Sequence, residues 1–178
     1  CNWLLKNFKN VEIYEINLTK VFESFSIAAN KENFGSDLGF ANTKSRLRMI
    51  TLYQIAASTN GIVVGTGNKV EDFGVGFFTK YGDGGVDISP IADLTKTEVR
   101  ELAKELKIID EAINAEPTDG LWNDNRTDYD QLGLSYEQIE EAMVNKDSKY
   151  RDKYLKIRKK SLHKMQSIPV CIMENDKD

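Results

Sequence analysis

A run of glycines in the middle of the chain constrains its fold more than any other feature. Eight of the 12 glycines lie between Gly61 and Gly85, within the string GIVVGTGNKVEDFGVGFFTKYGDGGVD. Residues that lack a Cβ permit positive φ and allow backbone N–H groups to approach a phosphate closely. Because polar and charged side chains are interleaved with these glycines, the run predicts a backbone folded closely against a ligand. Composition alone also allows the alternative of a turn-rich surface loop.

The segments that precede this run predict an α/β chain. Residues 62–64 are β-branched and end at a glycine, which is typical of a buried parallel strand. An amphipathic helix at 40–58 leads into this strand. Another strand is expected at 11–17, followed by a helix across 21–27. Because ligands of open α/β sheets bind at the carboxyl ends of the strands, the glycine run starts where a ligand is expected.

The second half of the chain is expected to be mainly helical. Thr95 and Glu98 have the spacing of a capping box, which predicts a helix that extends to residue 106. Residues 116–133 are rich in Asp and Asn, so they are expected to form a loop over the surface or over a site. Three further helices are expected at 108–113, 135–144 and 148–165.

The composition favours one globular domain over residues 1–178 and excludes several classes of function. The chain has 178 residues, of which 40% are hydrophobic and 29% charged, enough for a sizeable core. Its formal net charge of −4 argues against general attraction to nucleic acid or to an anionic membrane. No apolar stretch of about 18 residues and no signal peptide is visible, so a cytoplasmic location is expected. With two distant cysteines, Cys1 and Cys171, and one histidine, His163, we expect no disulfide framework, zinc site or Ser-His-Asp triad.

One segment, 149–164, is basic and contains two tyrosines, so a nucleic-acid surface is an alternative for it. Its apolar residues Tyr150, Tyr154 and Ile157 fall at helical spacing and leave the lysines on the opposite face. This pattern favours a docked amphipathic helix with a solvated basic side, and no nucleic-acid partner is expected.

Seven strings of this sequence, in their order and spacing between residues 11 and 170, carry a resemblance to a known family. They are ANTKSRLRM, GIVVGTGNKVE, GFFTKYGDGGVD, PIADLTKTEV, EPTDGLW, LGLSYEQIEE and HKMQSIPV. They resemble the NAD synthetases, ligases of NAD biosynthesis that form a C–N bond. The resemblance implies a three-layer α/β/α fold with a Rossmann-like parallel sheet of the adenine nucleotide hydrolase type. It also implies that Mg²⁺ and ATP serve to adenylate the nicotinate carboxylate of deamido-NAD, after which ammonia displaces AMP.

The chemistry implied by this resemblance explains why such residues are needed. A carboxylate is a poor electrophile because the leaving group would be oxide, whereas an acyl adenylate releases AMP. The protein must therefore gather phosphates and a carboxylate in one place. That requires Lys, Arg and a divalent ion, with charge stabilisation as the main catalytic contribution.

By similarity to the family motif, Thr66 contacts ATP and Glu71 is a Mg²⁺ ligand. The alternatives are that Thr66 caps a short turn at 68–72 and that Glu71 is a solvated acid that favours the helix dipole. Asp72 can exchange places with Glu71, because this loop is one residue longer than in some relatives.

Lys96 and Thr118 match two more ATP-contacting residues of the family. A cation in the first turn of a helix opposes the helix dipole, so a ligand would give Lys96 a reason for its position. Thr118 can instead stabilise the turn after Pro117.

Five residues match the family's positions for deamido-NAD: Arg46, Lys80, Asp87, His163 and Lys164. Lys80 can balance negative charge, and Asp87 can accept hydrogen bonds from ribose hydroxyls or a ring amide. The alternatives are surface ion pairs for the arginine, solvated lysines, and a C-terminal helix cation for His163. Arg48 is the weaker arginine candidate, and the catalytic residues stay unknown at this point.

The chain departs from the family in one respect, since it contains no SGGxDS phosphate loop. We therefore expect the family's N-terminal strand and phosphate loop to lie outside this sequence, and the chain alone to bind ATP poorly with little or no turnover. The short tail after Val170 favours the ammonia-dependent form over glutamine-dependent relatives with an added amidase domain. The resemblance also implies a homodimer that forms through the helix at 40–58. The alternatives are another ATP pyrophosphatase with a different acceptor and a non-catalytic nucleotide-binding protein.

Overall fold

The computed structural model describes residues 2–173, and these residues are mainly helical. A one-turn π-helix at Val70–Val75 separates the third and fourth α-helices. The α-helices in chain order are α1 Asn2–Asn7, α2 Thr19–Lys31, α3 Asp37–Thr59, α4 Lys96–Glu105, α5 Asp110–Ile113, α6 Asp128–Leu132, α7 Tyr136–Val144 and α8 Arg151–Met165.

The expected three-layer α/β/α parallel sheet is absent from residues 2–173, and that prediction is wrong. The described part of the chain contains a single isolated parallel bridge, between Val64 and Ile88. Residues 11–17 form no strand, and Tyr14 and Ile16 are 63% and 52% exposed. A strand is stabilised by hydrogen bonds and side-chain pairs with a neighbouring strand, so an alternating pattern without such a neighbour stays irregular.

The apolar run 62–64 is also less buried than expected. Val63 packs against Met49 and Ala56 of α3, but Ile62 and Val64 are 60% and 52% exposed. The backbone of this run lies beside residues 86–88, since the Gly65 N–H donates to the Ile88 carbonyl at 2.8 Å. The glycine run thus begins beside this bridge, although no sheet surrounds it within the described residues.

The helix predictions are largely confirmed. The helix expected at 40–58 is α3, which begins after Ser36, whose hydroxyl accepts from the Gly39 N–H. The capping box of Thr95 and Glu98 is present at the start of α4. The expected loop at 116–133 is interrupted by α6, whose own capping box was not recognised from the sequence.

The main hydrophobic core lies between the π-helix, α7 and α8. Its buried members are Val70, Val75, Leu132, Leu134, Tyr136, Ile139, Ala142 and Tyr154. Tyr150 and Ile157 pack against this core, which confirms the docked amphipathic helix expected at the basic segment. The core holds Tyr136 of α7 against the π-helix that carries Glu71. No helix in the described range 2–173 combines the length and apolar character needed to cross a membrane.

Candidate functional site

A cleft of about 440 Å³ brings together the four residues predicted to bind ATP and a metal. Thr66, Glu71, Lys96 and Thr118 all line it. They come from four separate segments: the end of the bridged run, the π-helix, the first residue of α4, and the loop before α6. The geometry thus assembles this predicted set, although the function of each member stays a prediction.

The π-helix fixes the direction of Glu71. Asn68 is 2% exposed, and its Oδ1 accepts from the N–H groups of Val70 and Glu71 at 3.0 and 3.1 Å. Asn68, and not Thr66, therefore satisfies the first N–H groups of this turn. At its other end Gly76, with φ of 64°, donates to the Glu71 carbonyl five residues earlier. A π-turn holds one more residue than an α-turn.

Glu71 and Asp72 lie on different sides of this turn. Glu71 lines the cleft with Lys96, whereas Asp72 lines a neighbouring pocket and lies so close to Gly67 that a Cβ there would clash with its carboxylate. Burial, followed by the charges of Glu71 and Asp83, raises the pKa of Asp72 to about 6. The arrangement favours Glu71 over Asp72 as the carboxylate that faces the predicted ATP residues.

Lys96 is paired with Glu71. Its Nζ donates to Glu71 Oε1 at 2.9 Å, and the two side chains are only 23% and 16% exposed. Lys96 Nζ also lies 4.8 Å from the centre of the Tyr136 ring. The carboxylate and the aromatic face offset the unfavourable position of a cation at a helix N-terminus.

The Tyr136 hydroxyl connects Glu71 to a second acid. It lies 2.7 Å from Glu71 Oε1 and 2.6 Å from Asp128 Oδ2. The phenol has one proton, so one of these two contacts needs a proton on a carboxyl group. Burial raises the pKa of Asp128, which favours the protonated form of this acid. The pKa of Tyr136 is also raised, first by burial and then by the charge of Glu71, so the phenol stays neutral.

A second contact from α7 holds the first turn of α4. Glu140 accepts from the Thr97 N–H at 3.0 Å and from the Thr97 hydroxyl at 2.6 Å. Tyr136 and Glu140 are one helical turn apart and share a face of α7. That face of α7 therefore contacts both Lys96 and its neighbour.

The loop that carries Thr118 is fastened to α3. Arg48 donates to the carbonyls of Asp119 and Gly120 at 3.4 and 3.1 Å, and Lys44 donates to the Leu121 carbonyl at 2.8 Å. Arg48 also lines the cleft, although it is the weaker arginine candidate from the sequence. It holds the loop that forms one wall of the cleft.

Four of the five predicted deamido-NAD residues lie together. Arg46 Nε donates to the Lys80 carbonyl at 3.2 Å, and Lys80 Nζ donates to the His163 carbonyl at 3.3 Å. Lys164 Nζ donates to the Phe78 carbonyl at 2.6 Å, and burial lowers its pKa. These cations contact neutral carbonyl groups, so their charge remains available to an anion. We call the three cations, Arg46, Lys80 and Lys164, the cation cluster. His163 lies beside them and takes part through its backbone carbonyl.

Asp87 is used differently from the cation cluster. Its Oδ2 accepts from the Val63 N–H at 2.7 Å, so it ties together the two segments that form the isolated bridge. The sequence pattern did not indicate this contact.

Two acids and one tyrosine of the site are not among the residues predicted from the sequence. Asp83 lines both the cleft and the neighbouring pocket with Lys164, and it accepts from the Ser45 hydroxyl at 2.6 Å. Its position in the glycine run was the signal that could have identified it. Tyr136 lies in one of the family strings, whereas nothing in the pattern around Asp128 indicated a role.

The site fits Mg²⁺ only in company with a nucleotide. Within residues 2–173 no three His, Cys, Asp or Glu side chains form a group that could hold a metal. Glu71 Oε1 is occupied by Lys96 and Tyr136, while Oε2 accepts one long contact of 3.4 Å from the Asn68 N–H. Mg²⁺ is commonly bound through one or two carboxylates together with substrate phosphates, so one free carboxylate oxygen suits it.

Comparison with known proteins gives a consistent result. The family model described as NAD synthase matches residues 2–176. An NH(3)-dependent NAD(+) synthetase from Methanococcoides burtonii is 44% identical over 133 residues, 75% of this chain and 50% of that protein. Another from Carboxydothermus hydrogenoformans is 37% identical over 165 residues, 90% of this chain and 67% of that protein. The chain therefore spans about half to two thirds of the length of these relatives.

A solved structure described as NMN synthetase from Francisella tularensis is also similar to this chain. It has a TM-score of 0.81 and 32% sequence identity, and the match covers 92% of this chain and 68% of that one.

Proposed function

The chain belongs to the NAD synthase family, and from that premise we propose that the native protein amidates deamido-NAD to NAD with ATP and ammonia, releasing AMP and pyrophosphate. The observation that carries this proposal is the cleft that joins Thr66, Glu71, Lys96 and Thr118 in one place. The cation cluster beside it supports a second, anionic substrate.

On the ATP side, the side chains of the cleft bind and orient the triphosphate. Lys96 supplies positive charge, and the hydroxyls of Thr66 and Thr118 supply hydrogen bonds. Glu71 would hold Mg²⁺ through Oε2, which receives only the long contact from the Asn68 N–H, and the ion when bound neutralises charge that develops on the phosphate oxygens. Arg48 keeps the Thr118 loop against α3, which helps to exclude water from this wall.

On the dinucleotide side, the cation cluster neutralises the substrate's phosphates and aligns its nicotinate carboxylate with ATP. Asp83 lies between the two groups, where it lines the cleft and the pocket that contains Lys164. The carboxylate attacks the α-phosphorus and pyrophosphate leaves. Ammonia then attacks the acyl carbon, loses a proton, and displaces AMP. These residues stabilise the charge of the two anions and thereby position them at close range.

A second candidate is amidation of nicotinate mononucleotide. The similarity to the structure described as NMN synthetase favours it, because that match has the high TM-score of 0.81. The two reactions share the same adenylation chemistry and differ in the size of the acceptor.

We also propose a cytoplasmic homodimer in which α3 contributes to the interface. Ile50, Leu52 and Tyr53 of α3 are 64%, 47% and 38% exposed, which is apolar surface that a second copy can cover. Gel filtration with light scattering at micromolar concentration tests this, and a monomer alone would contradict it.

The first test is product formation by the purified native protein with ATP and Mg²⁺. Deamido-NAD and nicotinate mononucleotide are supplied separately, each with ammonia or with glutamine, and the products are identified by mass spectrometry. NAD formed with ammonia supports the leading proposal, whereas amidation of the mononucleotide alone supports the second candidate.

Lys80→Met should raise KM for the acceptor, while Lys156→Met on the exposed side of α8 serves as the matched control. Nucleotide binding without any amide product would favour a non-catalytic protein.

A further inference from the structure

The side chain of Tyr136 contacts both members of the ion pair in the cleft. Its hydroxyl lies 2.7 Å from Glu71 Oε1, and its ring lies 4.8 Å from Lys96 Nζ. We propose that Tyr136 is a positioning residue, which holds Glu71 and Lys96 in the orientation that leaves one oxygen of Glu71 open to a cation. This inference rests on the proposed function for the identity of the ligand, Mg²⁺ with ATP.

Tyr136 is suited to this task because the protein core fixes it. It is 7% exposed, and it packs in the cluster that contains the fully buried Ile139. Lys96 and Glu71 are long side chains with several rotatable bonds, so holding them in one geometry costs conformational entropy. A rigid aromatic partner that contacts both restricts their rotamers.

The contacts of Glu71 are unevenly divided between its two oxygens. Lys96 and Tyr136 both reach Oε1, at 2.9 and 2.7 Å, whereas Oε2 receives only the 3.4 Å contact from the Asn68 N–H. Two donors on one oxygen determine which oxygen is left for a metal ion. Without the phenol, Lys96 alone would hold Oε1, and the carboxylate could rotate to offer either oxygen or to chelate the ammonium group.

The phenol is itself fixed from its other side by Asp128. Asp128 is 6% exposed and its Oδ2 lies 2.6 Å from the Tyr136 hydroxyl. The other oxygen of Asp128, Oδ1, is buried and has no hydrogen-bond partner among the described residues. The phenol is therefore the one hydrogen-bond partner of this carboxyl group among those residues. Asp128 begins α6, just after the loop that carries Thr118. The hydroxyl therefore links the π-helix, α7 and α6 around the cleft.

The test is Tyr136→Phe in the native protein, which keeps the ring and removes only the hydroxyl. The affinity for a non-hydrolysable ATP analogue is measured by calorimetry with and without Mg²⁺, and Mn²⁺ binding is measured by electron paramagnetic resonance. Loss of a group that orients a metal ligand typically lowers metal affinity by about 10- to 100-fold. We expect a loss of about tenfold or more in the Mg²⁺-dependent affinity, with the Mg²⁺-free affinity changed by less than about twofold.

Tyr154→Phe is the matched control, because Tyr154 belongs to the same core but lies on α8, outside this network. It should bind the Mg²⁺ complex like the wild type. Equal Mg²⁺-dependent affinity in Tyr136→Phe and the wild type would overturn the proposal. If the Phe variant fails to fold, Asp128→Asn and Asp128→Ala replace it: the amide should retain most of the affinity, and the alanine should lose it. Wild-type affinity in Asp128→Ala would then overturn the proposal.

The binding measurement separates this inference from the proposed function. A protein that forms no amide product but shows the Tyr136→Phe defect retains the positioning role while the synthetase activity is rejected. A wild type that does not bind the analogue with Mg²⁺ would overturn both.

Discussion

The two halves of the described chain bury their apolar residues to different extents. In the C-terminal half, 70–165, the π-helix, α7 and α8 enclose a cluster of eight buried residues. In the N-terminal half, 2–64, the buried cluster consists of Met49, Ala56 and Val63, and residues such as Ile27 and Ile62 are 70% and 60% exposed. The π-helix, α7 and α8 find partners within the described residues, although 60 or more positions separate the π-helix from the two helices. Segments with strand-like patterns instead need neighbours that residues 2–173 do not provide. Glu71, Lys96 and Tyr136 all belong to the well-packed half.

The largest effect is expected from Ile139→Ala in the core of the C-terminal half. Ile139 is fully buried, so its truncation leaves a cavity and should lower the free energy of unfolding by about 2–5 kcal/mol. Urea unfolding followed by circular dichroism measures this loss. Ile27→Ala on the exposed face of α2 is the matched control and should change little. Similar losses in both variants would remove the contrast between the two halves.

A smaller loss of unfolding free energy is expected when the partly buried ion pair of the cleft is removed. Glu71→Gln leaves Lys96 without its counter-charge, and loss of a hydrogen bond between charged groups should cost about 1–3 kcal/mol of unfolding free energy. A double-mutant cycle with Lys96→Met isolates the energy of the pair. A coupling energy near zero would mean that the packed half does not stabilise this pair, and that the two side chains are held independently.

Burial of Asp72 should make the stability of the protein depend on pH. Its pKa is raised from 3.8 to about 6 in the folded protein, so the folded state binds more protons than the unfolded state between these values. Stability therefore falls as pH rises from about 4 through about 6, and the penalty is fully present above that range. Asp72→Asn should raise Tm relative to the wild type at pH 7.5 but not at pH 3.5. An equal difference in Tm at both pH values would contradict the assigned cause.

These contrasts also separate what the sequence could predict from what it could not. Helices such as α3, α4 and α7 carry their signals locally, in apolar periodicity and in caps such as Thr95 with Glu98. The segment 11–17 carries an equally clear alternating pattern, but a strand also requires a partner strand. That requirement is absent from the local pattern, so the sheet prediction failed.

The candidate site also has residues that the sequence could predict and contacts that it could not. Thr66, Glu71 and Lys96 were predicted through the family resemblance, and the structure brings them to one cleft. The contact between Tyr136 and Glu71 joins residues 65 positions apart, and no periodicity or spacing indicates it. Its existence depends on how α7 packs against the π-helix, which only the folded core determines.

The smallest effect is expected from Ile62→Thr, in the apolar run of the N-terminal half. Ile62 is 60% exposed, and a substitution on an exposed surface usually changes the free energy of unfolding by no more than about 0.5 kcal/mol. The same urea titration measures it, at two protein concentrations. A loss that exceeds about 1 kcal/mol and grows on dilution would mean that a second copy covers this surface, because dissociation then contributes to unfolding. The interface proposed for α3 would in that case extend to Ile62, and the two halves would differ in where their partners lie and not in how well they are packed.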